Sequence, residues 1–424
     1  MSLPRIPSLL LLLIAGSARA QFCPLGETER RIVTCKAETS MEDCRTEAQK
    51  AGCSVLRVLP LVHAVVIEIP TARMFIAEAK LANAPKVERV DTDRKVRWLR
   101  NVSQAPFGSA DLSDLTRHIK DLKPRFAAPP PSISAQIPWG VQRVGAPAVW
   151  PRTEGEGAAV AVIDTGIDDS HPDLRGQVLG GVNVVDPKTP DAWRDDEGHG
   201  THVAGTIAGS GLDGGLAGVA PRAKVWAVKV LDKDGNGNYS DVIAGIEWAM
   251  NHGIKIANMS LGADEGSEPL HRAVQAALEK GMTIVAAAGN SGGAVGYPGA
   301  YPETIAVGAS DASDKVADFS AQGPEVSFIA PGVNIVSAKM GGGYVALSGT
   351  SMASPHVAGL AALAFNQGAT TPAALRQALT GAARPIAGLT PAAEGHGMIL
   401  AGNLGGKTPA QNGVTLAMAS SLRN

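Results

Sequence analysis

Across residues 136–404 five short runs are mostly apolar, at 158–163, 223–230, 255–259, 283–288 and 304–307. Helix-patterned segments lie between them, at 202–208, 240–252 and 269–280. A strand that is apolar on both faces must be covered on both, as inside a parallel sheet flanked by helices. The alternation predicts one α/β domain over 136–404. It is a doubly wound, mostly parallel sheet with its functional residues at the carboxyl ends of the strands. The chain has 424 residues, with 38 Lys plus Arg against 40 Asp plus Glu. That balance provides no general field for nucleic acid or an anionic membrane. Aromatic residues make up 4%, too few for a platform that stacks bases or sugars.

The first 135 residues read differently. Residues 9–14 are an unbroken apolar run, and Ser17-Ala18-Arg19-Ala20 ends the segment with a small-x-small cleavage pattern. Residues 1–20 are expected to be a signal peptide, because a membrane span needs ~20 apolar residues and this run is far shorter. This predicts export to the extracellular or periplasmic space without a membrane anchor. All four cysteines (Cys23, Cys35, Cys44, Cys53) precede residue 54. In an oxidising compartment they can form two bridges in any of three pairings, and the rest of the chain has no thiol to act as nucleophile or ligand. From 31 to 98 the signals run strand (31–35), helix (41–50), extended (54–70), helix capped by Thr71 through 84, and extended again (86–98). That order suits a small ferredoxin-like α+β domain, taken as 21–98. Residues 99–135, unpatterned and carrying Pro129-Pro130-Pro131, are expected to be a linker, and 405–424 a loose tail.

Three segments carry chemistry. Ala161-Val162-Ile163-Asp164-Thr165-Gly166 ends a buried strand with a carboxylate. His199-Gly200-Thr201-His202-Val203-Ala204-Gly205 brings histidine to a helix start. Gly349-Thr350-Ser351-Met352-Ala353-Ser354-Pro355 puts a serine near another, with Pro355 expected in the first turn, where a missing N–H is no loss. Gly349 to Ala353 lacks the last glycine of the esterase pattern Gly-x-Ser-x-Gly. In this order and with these motif bodies, residues 137–404 resemble the subtilisin-like serine proteases, the subtilases. Residues 31–98 resemble the inhibitory propeptide of that family.

The resemblance implies a serine endopeptidase made as a self-processing zymogen. It would act as a monomer on protein or peptide substrates, with its own propeptide as intramolecular inhibitor and self-cleavage between about 97 and 135. It implies a triad of Asp164, His199 and Ser351, with Asn290 of Ala286-Ala287-Ala288-Gly289-Asn290 stabilising the oxyanion. A serine hydroxyl is a weak nucleophile until a base takes its proton, which explains why serine needs the other two. Gly235, Gly237 and Tyr239 are implied along one edge of a substrate cleft, with Ser260, Leu261 and Gly262 along the other. Gly296 is implied at the floor of the primary pocket. A structural calcium ion is implied at Gln136, Asp173 and the loop carrying Asp213; no cofactor is implied for catalysis. Glu197, two residues before His199, is implied at the rim of the pocket for the second residue before the cut. A carboxylate there favours Lys or Arg and raises the His199 pKa. His202 and His356 read as packing residues. Asp232 to Asn238 imitates an EF-hand start, but Ile243 stands where a bidentate Glu is required.

Overall fold

The computed structural model describes residues 27–104 and 136–405. The expected signal peptide, Cys23, residues 105–135 of the linker and all but the first residue of the tail lie outside them. The large sheet contains, among the described residues, nine strands in the order β17-β18-β14-β13-β12-β11-β7-β9-β8. They are β7 (Ala159–Asp164), β8 (Val178–Asn183), β9 (Lys224–Lys229), β11 (Ile256–Met259), β12 (Thr283–Ala287), β13 (Ile305–Ser310), β14 (Val326–Pro331), β17 (Ala383–Arg384) and β18 (Met398–Ile399). Every pairing but β17 with β18 is parallel. From β7 the chain goes to the edge strand β8, returns to β9 between them, then crosses to β11 on β7's other side. The carboxyl ends of β7 and β11 therefore flank the point where strand order reverses, where open α/β sheets hold their sites.

Helices cover both faces. Val160 and Val162 pack with Val203, Ile207, Val357 and Leu360, from α3 (His199–Ala208) and α6 (Thr350–Asn366). The alternate residues Ala161 and Ile163 pack with Val242, Ile246, Leu270 and Val274, from α4 (Tyr239–Asn251) and α5 (Glu268–Glu279). Burial on two faces explains why these strands read as continuous apolar runs.

The N-terminal part is β1 (Thr28–Cys35), α1 (Met41–Lys50), β2 (Ser54–Leu59), β3 (Ala64–Pro70), α2 (Met74–Ala82) and β4 (Val87–Thr92), an antiparallel sheet in the order β2-β3-β1-β4. One face (Val33, Val65, Ile67) lies under α1 and α2; the other (Ile32, Ala64, Val66) packs on the α4 and α5 side of the large body. The expected extended run 54–70 is two strands. Pro60 opens a 3-10 turn, and His63 takes a left-handed conformation (φ 54°) that folds β3 back on β2. Thr71 is not a helix cap: its N–H and Oγ1–H donate to the Glu27 carbonyl, both at 2.9 Å, and the α-helix begins at Met74. Cys35 and Cys44 form a disulfide, and Cys53 is buried with no partner among the described cysteines. Among the described residues no helix is long and apolar enough to cross a membrane.

Candidate active site

Asp164 is the last residue of β7 and fully buried. Its Oδ1 accepts the Thr165 N–H and lies 2.8 Å from His199 Nδ1. His199 opens α3, three residues earlier than the pattern predicts, because its turn is capped from upstream. Glu197 Oε2 accepts the His199 N–H at 2.8 Å, and buried Asp195 accepts N–H groups from Glu197, Gly198 and Thr201. The acidic run thus holds the helix start, with Gly198 supplying the positive φ of 113° that the turn requires. Burial lowers the His199 pKa, but the Asp164 charge and hydrogen bond, aided by Glu197 and Asp195, leave it raised overall.

Ser351 is the second residue of α6, which runs to Asn366. Pro355 lies in the second turn rather than the first, so the Ser351 carbonyl loses its helical N–H partner. The Ser260 hydroxyl takes that place, donating to the Ser351 carbonyl at 2.7 Å, and itself accepts from Asn258 Nδ2 at 2.8 Å. Ser351 Oγ donates to the Ser260 carbonyl at 3.0 Å, while His199 Nε2 is buried without a hydrogen-bond partner among the described residues. Asn290 is oriented by Thr350, whose N–H and Oγ1–H both donate to Asn290 Oδ1 at 2.8 Å. Its Nδ2 is thereby left to face the cleft.

The cleft holds the chain's own segment 95–104. β5 (Lys95–Arg97) pairs antiparallel with β10 (Asn236–Asn238), and β6 (Ser103–Gln104) with β16 (Tyr344–Ser348). Trp98 donates its N–H to the Gly235 carbonyl and its indole N–H to the Gly237 carbonyl, both at 2.9 Å. Its ring meets Tyr239 edge-on at 5.0 Å, and its carbonyl accepts the Gly262 N–H at 3.2 Å. Asn290 Nδ2 donates to the Arg100 carbonyl at 3.0 Å. Leu261 and Gly296 line a cavity of about 170 Å³ beside Asn290 and Ser351. Residues 99–104, expected to be linker, thus continue through the cleft from β5 past Asn290 to β6, which pairs with β16.

His202 and His356 are fully buried, held neutral with pKa values pushed down to about 3 and about 4 by burial. The three residues considered for a metal are placed as follows. Gln136 bridges to Leu216, and Asp173 Oδ2 accepts the Leu216 N–H (2.9 Å) and the Tyr344 hydroxyl (2.7 Å). Asp173 Oδ1 is buried without a hydrogen-bond partner. Asp213 stands on an exposed turn and lines a cavity with Glu154 and Arg222. Among the described residues no three His, Cys, Asp or Glu side chains gather at one point. Three cleft residues had no signal in the sequence: Thr350, whose hydroxyl aims Asn290, and Asp264 and Glu265, which face basic residues of the bound segment.

The profile described as "Subtilase family" matches residues 155–397, more than half of the chain. Subtilisin E of Bacillus subtilis (strain 168) is 48% identical over 237 residues, covering 54% of this chain and 61% of that protein. An alkaline protease of Alkalihalobacillus alcalophilus is 41% identical over 296 residues, 68% of this chain and 77% of the relative. An intracellular serine protease of Paenibacillus polymyxa is 43% identical over 279 residues, 62% of this chain and 85% of the relative. Against Subtilisin E, then, the match spans less than two thirds of the relative's length.

Proposed function

Because this chain belongs to the subtilase family, we propose that it is an exported serine endopeptidase made as a zymogen that processes itself. The observation that carries this reading is the Arg100 carbonyl, held by Asn290 at the junction of two cavities. One cavity is lined by Ser351 and the other by His199, and Asn101 borders both. On this reading the peptide bond after Arg100 meets a nucleophile, a base and an oxyanion donor together. The Ser351 hydroxyl turns from Ser260 to His199 Nε2, which takes its proton as Oγ attacks the carbonyl carbon. Asp164 holds the imidazole through Nδ1–H and stabilises the imidazolium. Asn290 meets the charge on the tetrahedral oxygen; losing such a donor costs roughly 10²–10³ in kcat. His199 then protonates the leaving amine, and water releases the acyl group.

The N-terminal sheet and segment 95–104 serve as the inhibitor. Strand pairing with β10 gives affinity through backbone hydrogen bonds, the same mode by which an extended substrate adds to the cleft. Export rests on the apolar run 9–14 and the cysteine usage. A structural calcium suits Asp173, whose Oδ1 lacks a hydrogen-bond partner, with Gln136 and the loop carrying Asp213 as the other candidate ligands. The test is Ser351→Ala in the purified full chain. Self-conversion and casein hydrolysis should both fall by at least about 10⁴-fold, and an organophosphonate should label wild type at Ser351 only. Conversion of the pure variant at the wild-type rate would overturn the reading.

A further inference from the structure

The segment in the cleft is strongly basic, with Arg94, Lys95, Arg97 and Arg100 among the seven residues 94–100. Three of these meet carboxylates on the cleft edges. Lys95 Nζ lies 2.8 Å from Asp232 on the β10 side. Arg94 pairs with Glu265 and Arg100 with Asp264, both just past the Ser260-Leu261-Gly262 edge. The last pair is placed where it bears on the reaction. Arg100 is the residue whose carbonyl receives Asn290 Nδ2, so its side chain is the one immediately before the bond presented to Ser351. Arg100 and Asp264 line the same cavity as Gly296 and Ser351. Before it, Leu99 is buried beside His199 and Glu197.

We propose that this protein cuts itself at Arg100–Asn101, and that Asp264 makes the pocket before the cut selective for arginine. The inference rests on the endopeptidase reading above and names its first substrate and its preferred residue. In the self-cleavage, Ser351 Oγ bonds to the Arg100 carbonyl carbon and its proton passes to His199 Nε2. The Arg100–Asn101 C–N bond breaks, and that proton leaves on the Asn101 amine. Water then attacks the Arg100 ester, giving the Arg100 carboxylate and restoring the Ser351 hydroxyl. Asp264 contributes by charge to a guanidinium at the pocket mouth. Both partners are exposed, so the selectivity is modest and salt-sensitive, about five-fold at low ionic strength.

The test has two readouts on one preparation. The purified full chain is allowed to convert and the first N-terminal fragment released is weighed; it should end at Arg100. The mature enzyme and its Asp264→Asn variant are then given the decapeptide of residues 95–104 with Arg or Ala at the position of residue 100. Wild type should prefer Arg by about five-fold at low salt, and the variant should lose most of that ratio. A fragment ending elsewhere, or an Arg-to-Ala ratio that is the same for both enzymes, overturns the proposal while casein hydrolysis keeps the endopeptidase reading intact. Absence of casein hydrolysis by wild type overturns both.

Discussion

As the proposed base, His199 would set when the site can work, because a base must be neutral to accept a proton. Burial opposes its charged form, but Asp164, Glu197 and Asp195 together favour that form and leave the pKa raised. The histidine therefore stays protonated to higher pH than a free imidazole, and kcat/KM should climb only above the ordinary histidine value of about 6.5. Glu197→Gln separates charge from structure, since the amide oxygen can still accept the His199 N–H. With one negative charge gone, the rising limb of the kcat/KM profile should move to lower pH for a neutral peptide at low salt. An unmoved limb would show that Glu197 acts only as a cap. The bound segment gives no support to a basic preference at Glu197, for Leu99 is the residue beside it. The proposed site residues Asp164, His199, Ser351 and Asn290 stand out in the sequence because each sits inside a local motif. Asp264 was not, since its partner Arg100 lies 164 residues away and nothing near Asp264 announces it.

At the scale of elements, the N-terminal sheet is held to the large body by more than its apolar face. Asp93 follows β4, and its carboxylate accepts both the N–H (2.9 Å) and the hydroxyl (2.8 Å) of Ser240 in the first turn of α4. An acidic group at a helix N-terminus satisfies donors that the helix cannot. Asp241 on the same turn adds an ion pair with Arg57 of β2 at 3.1 Å. Truncating Asp93 to Ala leaves the α4 donors unpaired against the N-terminal domain. Hydrogen bonds to a charged group contribute about 1.5–3 kcal/mol, so fragment 27–100 carrying the change should inhibit mature enzyme at least tenfold less well. Equal inhibition constants would remove Asp93 from the contact. The strands β7, β9, β11, β12 and β13 were legible because two-sided burial leaves an unbroken apolar run. The hairpin at Pro60–His63 was hidden in a similar run, because β-branched residues continue on both sides of a turn made by Pro60 and the left-handed His63.

The whole molecule joins two bodies stabilised in different ways, and a cut at Arg100 would separate them. The N-terminal body carries the Cys35–Cys44 bridge, a loop of sequence separation 9, and buries one sheet face on α4 and α5. Beyond residue 53 there is no cysteine, so the large body depends on its two-faced core and on any cation held at Asp173. A bridge closing so short a loop stabilises by about 2–3 kcal/mol, mainly by restricting the unfolded chain. A cation bound only by the folded state stabilises by mass action. Reductant and chelator should therefore act on opposite bodies. In the uncut Ser351→Ala chain, dithiothreitol should lower the melting of the N-terminal body by several degrees. In the mature wild type it should change nothing, whereas excess EDTA added to calcium-loaded protein should lower its melting temperature. Calorimetry of both forms under both treatments resolves the four cases. A mature form that melts earlier in dithiothreitol would mean that a cysteine-bearing segment remains attached after processing. One that ignores EDTA would mean that Asp173 Oδ1 is satisfied without a metal.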